Sequence, residues 1–237
     1  MIQQLKHDFF YVIYNGKYRL LLLFTILFTA ALTIYIAMNA TVGVDILIQV
    51  FGNFRPLYWI LSAYLIVDML STDYHSQTLK NVIPKSSKRK PYFLSKMIVT
   101  TLFCIFILLA HVGTSWLVIS SVADGIEFTF FNMPYFLLGA VLSLFLFSAL
   151  LSFVMTLSGR ETITIGVGLG LVLLQLLEEG LNPVIFAHFP TMYVVTLQDL
   201  VLSGELTGII SIGSYLIFAF LLFVGTMKVF NKQDLFT

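Results

Sequence analysis

LLLLFTILFTAALTIYIAM, residues 20–38, runs without a single charge. The hydrocarbon core of a bilayer is about 30 Å thick and a helix rises about 1.5 Å per residue, so roughly 20 such residues cross it. The stretch is longer than the apolar core of a secretory leader, and no clean small-x-small cleavage pattern follows before Asn39, so it is expected to stay as a membrane span. Working outward, five more runs qualify or nearly qualify: about 51–70, 97–122, 133–157, 162–177 and 209–229. The run at 51–70 is the weakest, with Arg55 and Pro56 at one end and Asp68 at the other. The run at 162–177 is short and glycine-rich. Backbone groups in lipid must be bonded internally, so runs of this length read as helices. Alternation of period two is absent, which disfavours a β-barrel.

Composition agrees. Of 237 residues, 59% are hydrophobic and 11% charged, whereas a soluble domain carries about a quarter charged residues. A water-soluble globule, a disordered chain and a fibrous repeat are excluded. The one cysteine, Cys104, lies inside an apolar run, so no intrachain disulfide forms and the redox compartment stays open.

Charge placement gives the topology. Lys6, Lys17 and Arg19 precede the first span. Lys80, Lys85, Lys88, Arg89, Lys90 and Lys96 lie between the second and third, Arg160 between the fourth and fifth, and Lys228 and Lys232 near the end. Only Arg55 among the Lys and Arg falls elsewhere, and the alternate loops carry acids such as Asp45, Asp124, Glu127 and Glu205. The positive-inside rule then places both termini in the cytoplasm, as an even number of spans requires.

Three segments do not span. Residues 1–19 are expected to form an amphipathic helix along the inner leaflet, with Ile2, Leu5, Phe9, Val12 and Ile13 on one face and its cations near anionic lipid. It serves either as a passive anchor or as a coupling element. The loop 71–96 carries Asp73, Tyr74, His75, Gln77, Thr78, Leu79, Lys80, Val82 and Ile83 before Pro84, then a basic turn with Lys88 and Arg89 and, further on, Lys96. The part before Pro84 suits one short helix at the membrane surface, a docking element for a soluble partner. The bland alternative is a solvated loop whose cations only set topology. The outer loop 178–208 is too apolar to lie free in water, so short helices dipping back into the outer leaflet are expected. In the fifth span, Gly166 and Gly170 form a G-x-x-x-G pair, which lets two helices approach closely either within one copy or between two.

Catalytic motifs are missing. There is no G-x-x-x-x-G-K-[ST], no H-E-x-x-H, no G-x-S-x-G and no His/Cys cluster with metal spacing. His111 and Asp68 are intramembrane titratable groups, and His111 is expected to be a buried histidine bonded to a neighbouring helix. Glu178-Glu179 lacks the following Arg and the placement of an intramembrane protease pair.

The stretch Asp73-Tyr74-His75-Ser76-Gln77-Thr78-Leu79-Lys80-Asn81, with Ser87-Lys88-Arg89 and Tyr92-Phe93-Leu94-Ser95-Lys96, resembles the permease subunits of ABC-2 type exporters. That family shows an acid, a Gly-Thr-Leu element, a Ser-Arg pair and a Lys opening the third span. Here Asp73 stands where the family usually has Glu, and Gln77 where it usually has Gly. The close match covers about 25 residues, and the layout of spans extends it over the chain. The resemblance implies an all-α polytopic membrane protein: six transmembrane helices over 20–230, an N-terminal interfacial helix, a cytoplasmic coupling helix, a re-entrant outer loop, and a tail at 231–237. It implies two permease copies, taken as identical, with two ATP-binding subunits that bind ATP and Mg, and no cofactor in this chain. The coupling helix would sit in the ATPase, and spans one and five would meet across the dimer axis. Compact size and Phe-rich spans look most like Gram-positive exporters of amphipathic peptides, such as the phenol-soluble modulin exporter or lantibiotic immunity transporters. The chain is thus expected in the plasma membrane, with a hydrophobic or amphipathic peptide as cargo and no nucleic acid as partner. A non-transporting immunity or scaffold subunit is the alternative, and an intramembrane protease a further one.

Overall fold

The computed structural model describes residues 2–39, 46–75, 89–122, 133–181 and 206–232. Within them the chain is all helical apart from two short joints. The helices are α1 (Ile2–Tyr14), α2 (Gly16–Asn39), α3 (Ile46–His75), α4 (Arg89–Val122), α5 (Met133–Ser158), α6 (Glu161–Leu181) and α7 (Leu206–Lys232). Five of them, α2, α3, α4, α5 and α7, are long and apolar enough to cross a membrane, and α6 carries a shorter apolar stretch, Glu161–Leu174. Several apolar helices of span length make this a membrane protein. Of the loop expected over 178–208 and the tail expected over 231–237, residues 182–205 and 233–237 lie outside the described residues.

The two joints follow from local chemistry. The Asn15 N–H still bonds the carbonyl of Tyr11 (3.0 Å), closing α1, while Asn15 Oδ1 accepts from the N–H of Lys17 (3.0 Å) and caps α2. The amphipathic helix therefore stops at Tyr14, and Lys17, Tyr18 and Arg19, expected on it, open the span helix instead. The second joint is Gly159, at φ 61°, a left-handed position that glycine takes without steric penalty. Its N–H bonds the Met155 carbonyl (2.9 Å), and Ser158 Oγ accepts from the N–H of Arg160 (3.2 Å), so α5 folds back into α6 within two residues.

The span weakest in apolar residues lies at the bundle's centre. In α3, 67% of the apolar window is buried, against 22% in α2 and 17% in α7. Protein rather than lipid surrounds α3, which is why Arg55, Pro56 and Asp68 are tolerated there. Phe54, Tyr58, Trp59, Leu65, Val67 and Met69 of α3 form the core with Cys104 and Leu108 of α4, Leu151 of α5 and Val172 of α6. At one end α3 runs on through residues 71–75, and α4 starts eight residues before the expected span. The connection is thus shorter at both ends than the loop 71–96 read from sequence.

Candidate functional site

Polar side chains gather in two layers. The first lies at the end of the bundle that carries α1. Leu5, Asp8 and Val12 share the inward face of α1 at helical spacing, and Asp8 is buried (1% exposed). Its carboxylate accepts from Ser95 Oγ at 2.7 Å and pairs with Lys96 Nζ at 3.3 Å. Lys96 is itself 5% exposed. Expected in a basic loop, it is a buried partner two turns inside α4. The Lys96 ammonium also sits over the Tyr92 ring (5.6 Å), and Tyr92 and Phe93 pack on Phe230 of α7 at 6.4 and 4.6 Å between centroids.

Beside this pair lies a second one. The Tyr18 hydroxyl donates to Asp68 Oδ2 at 2.8 Å, and Lys17 Nζ lies 3.5 Å from Oδ1. Thr72 donates to the Asp68 carbonyl at 2.6 Å. Tyr18 contacts the rings of Tyr11 (6.0 Å) and Phe103 (5.5 Å) edge-on, so α1, α2 and α4 meet at one phenol. Lys17 is largely in solvent and adds little, while the buried phenol bond carries the α2–α3 link. Two acids, two amines, a serine and a tyrosine thus link four helices (α1–α4) at this end, and the Tyr92 and Phe93 rings on Phe230 add α7.

The second layer is deeper. His111 Nδ1 of α4 and Thr29 Oγ1 of α2 share a hydrogen bond at 2.9 Å, and the imidazole stacks on Phe54 of α3 at 3.9 Å and 8°. The sequence expectation of a buried histidine bonded to a neighbouring helix is borne out. His111 Nε2 is buried without a hydrogen-bond partner among the described residues, as are Trp59 Nε1, Ser148 Oγ and Ser152 Oγ. Thr33 Oγ1 lies 3.4 Å from Ser115 Oγ, four residues further along both helices.

The residues singled out from sequence fall as follows. Asp73, Tyr74 and His75 form the last turn of α3, and Arg89 opens α4. Gln77, Thr78, Leu79, Lys80, Val82, Ile83 and Lys88 lie outside the described residues. Gly166 and Gly170 face open space, with nothing within 4 Å of an added Cβ. It is Gly168, on the other side of α6, that makes the close approach, where a Cβ would stand 3.0 Å from Ala63 Cβ of α3 and 3.4 Å from Leu151 of α5. Glu178 and Glu179 belong to the last turn of α6. Among the described residues no three His, Cys, Asp or Glu gather to hold a metal ion.

Sequence reading missed Asp8 altogether, and quoted Ser95 without giving it a role. The signal was present: Asp8 interrupts an apolar face at spacing three and four from Leu5 and Val12, where a lone acid needs a partner from another helix. Comparison with known proteins finds no family model that matches the chain and no curated relative that matches it.

Proposed function

We propose that this chain is the permease subunit of an ATP-driven exporter of the ABC-2 type, moving amphipathic peptides or similar hydrophobic cargo out of the cell while a separate subunit hydrolyses ATP. The observation that carries the reading is the path of α3. It runs unbroken from the most buried part of the bundle into Asp73, Tyr74 and His75, the start of the segment that resembles the family's coupling helix. A push delivered there acts on the central helix directly. The two polar pairs at the α1 end support the reading, because they make that end a stiff block able to pass on force.

In this reading the block faces the cytoplasm of a plasma-membrane protein, as the Lys and Arg distribution requires. Helix α6 is the fifth of six spans in this reading: its 21 residues are about 31 Å long, close to the hydrocarbon thickness. Gly166 and Gly170, open on the outer side of α6, form the contact with an identical second copy. Two ATPase partners supply ATP and Mg. Their closure biases the bundle between two packings, by no more than their differential affinity for the two.

The test is co-purification from the native host. A P-loop ATPase should accompany the chain, and Thr78→Asp with Leu79→Asp should abolish peptide-stimulated ATP hydrolysis while leaving the chain folded. Transport that survives those changes refutes the docking. A complex with no cargo-stimulated hydrolysis favours the immunity or scaffold role.

A further inference from the structure

Helix α2 carries a four-residue repeat, Phe24-Thr25, Phe28-Thr29, Leu32-Thr33, whose threonines face inward while Phe24 and Phe28 stand at the exposed edge of the stripe. All three threonines are fully buried. Thr25 and Thr33 satisfy themselves on the carbonyls four residues back, at 2.9 and 2.7 Å from Leu21 O and Thr29 O. Thr29 reaches His111. The two contacts across the seam, Thr29 with His111 and Thr33 with Ser115, are separated by the same 82 residues of sequence. Helices α2 and α4 therefore run parallel and in register, with His111 and Ser115 also four apart.

We infer that the α2–α4 seam is a ratchet with a second register one turn away, in which α2 is displaced from the α1 end by four residues. Both polar contacts are then remade with like partners. Thr25 comes level with His111 and Thr29 level with Ser115. Phe24 takes the place that Phe28 holds beside Phe54, now 6.5 Å between centroids. Four residues are about 6 Å of travel with some 40° of rotation, the step that packed helices take when ridges slip by one groove. A slip the other way fails, because Ala37 would meet Ser115. Thr25 keeps its own carbonyl bond until needed, as Thr29 shows that a threonine of this stripe can turn to the ring.

The structure also contains what holds the observed register. Tyr18 to Asp68, with Lys17 beside it, ties the start of α2 to α3; Tyr14, four residues back, belongs to α1 beyond the Asn15 break and does not follow α2 into the slipped register. The Asp8–Lys96 pair anchors α1 to α4 while α2 moves. Asn15 between them is the hinge, since unwinding about three residues from 1.5 to 3.3 Å each supplies the travel. The two registers belong to this chain whatever cargo it handles.

The experiment measures spin-label distances on the full chain in nanodiscs, with Cys104 replaced by Ala and labels at the exposed Leu23 and Leu117. The register places these about 18 Å apart along the axis, and the slip shortens this to about 12 Å. Asp68→Asn with Tyr18→Phe should add a second, shorter population to that seen with the native residues, and Tyr18→Phe alone should add a smaller one. Adding Thr25→Val should abolish the shorter population, and Thr25→Ser should retain it. One unchanged distance in both released variants, or a short population indifferent to Thr25→Val, overturns the ratchet.

Discussion

Lys96→Met tests the buried end of the bundle most severely. Asp8 and Lys96 are both nearly inaccessible and 3.3 Å apart. Removing the ammonium leaves a carboxylate in a dry site with the Ser95 hydroxyl and with His7 Nδ1 at 3.6 Å on an exposed ring. Breaking one side of such a pair costs about 3–5 kcal/mol, because the remaining charge is uncompensated. For a chain of this size that lowers Tm by roughly 6–20 °C, at about 2–4 °C per kcal/mol. The double variant Asp8→Leu/Lys96→Met should recover to within about 1 kcal/mol of the native chain or exceed it, since apolar replacement of both partners removes two desolvated charges. Lys17→Gln, at the exposed pair, should cost less than about 1 kcal/mol. The assay uses Cys104, the single cysteine and fully buried, which reacts with a thiol-reactive fluorophore only as the bundle opens on heating. A Lys96→Met transition within about 2 °C of the native one refutes the buried pair. So does a double variant no better than the worse single.

Gly168→Leu should destabilise the chain by about 1–3 kcal/mol through overpacking against Ala63 and Leu151, read in the same thermal assay. Gly166→Leu and Gly170→Leu should leave the melting temperature unchanged and weaken self-association, measured by energy transfer between labelled copies in liposomes. Thr29→Val should cost about 0.6–1.7 kcal/mol, the range for a hydrogen bond between membrane helices, and Thr29→Val with His111→Phe should cost less than His111→Phe alone. At 25 °C, maleimide should leave Cys104 unmodified in the intact protein and label it fully in denaturant.

Uncharged length was the legible part. Residues 20–38 fall inside Gly16–Asn39, and 133–157 inside Met133–Ser158, because nothing but a helix hides that much backbone from lipid. Charge misled where its partner is remote in sequence. Lys96 looked like loop because a lone cation is dear in a span, and only folding reveals that Asp8, 88 positions earlier, compensates it. The break at Asn15 was within reach: Asn15-Gly16 is a turn signal, hidden by apolar periodicity on both sides. The glycines show a limit of motifs. Gly166 and Gly168 are 200° apart around the helix. Spacing alone gives a smooth face without saying that the inward contact falls to the glycine between the pair.

The gradient of burial decides which helix is free to move. Helix α3 carries Arg55, Asp68 and the indole of Trp59, whose N–H has no partner among the described residues, and lipid around it would strand them. It is therefore bound to stay enclosed, and its neighbours must rearrange around it. Helices α2 and α7 bury little of their apolar windows and present mostly lipid-soluble side chains outward, so sliding exchanges lipid for lipid along most of their surface. What resists the slide is confined to the inward stripe. On α2 that stripe repeats every four residues, so its resistance rises and falls with each turn rather than growing with distance. On α7 the inward contact at Gly225, where an added Cβ would stand 3.1 Å from the Phe153 ring, has no glycine one turn to either side, since Leu221 and Val229 occupy those positions. A one-turn slip of α7 would drive a branched side chain into Phe153. Of these two lipid-facing helices, only α2 has a second place to rest.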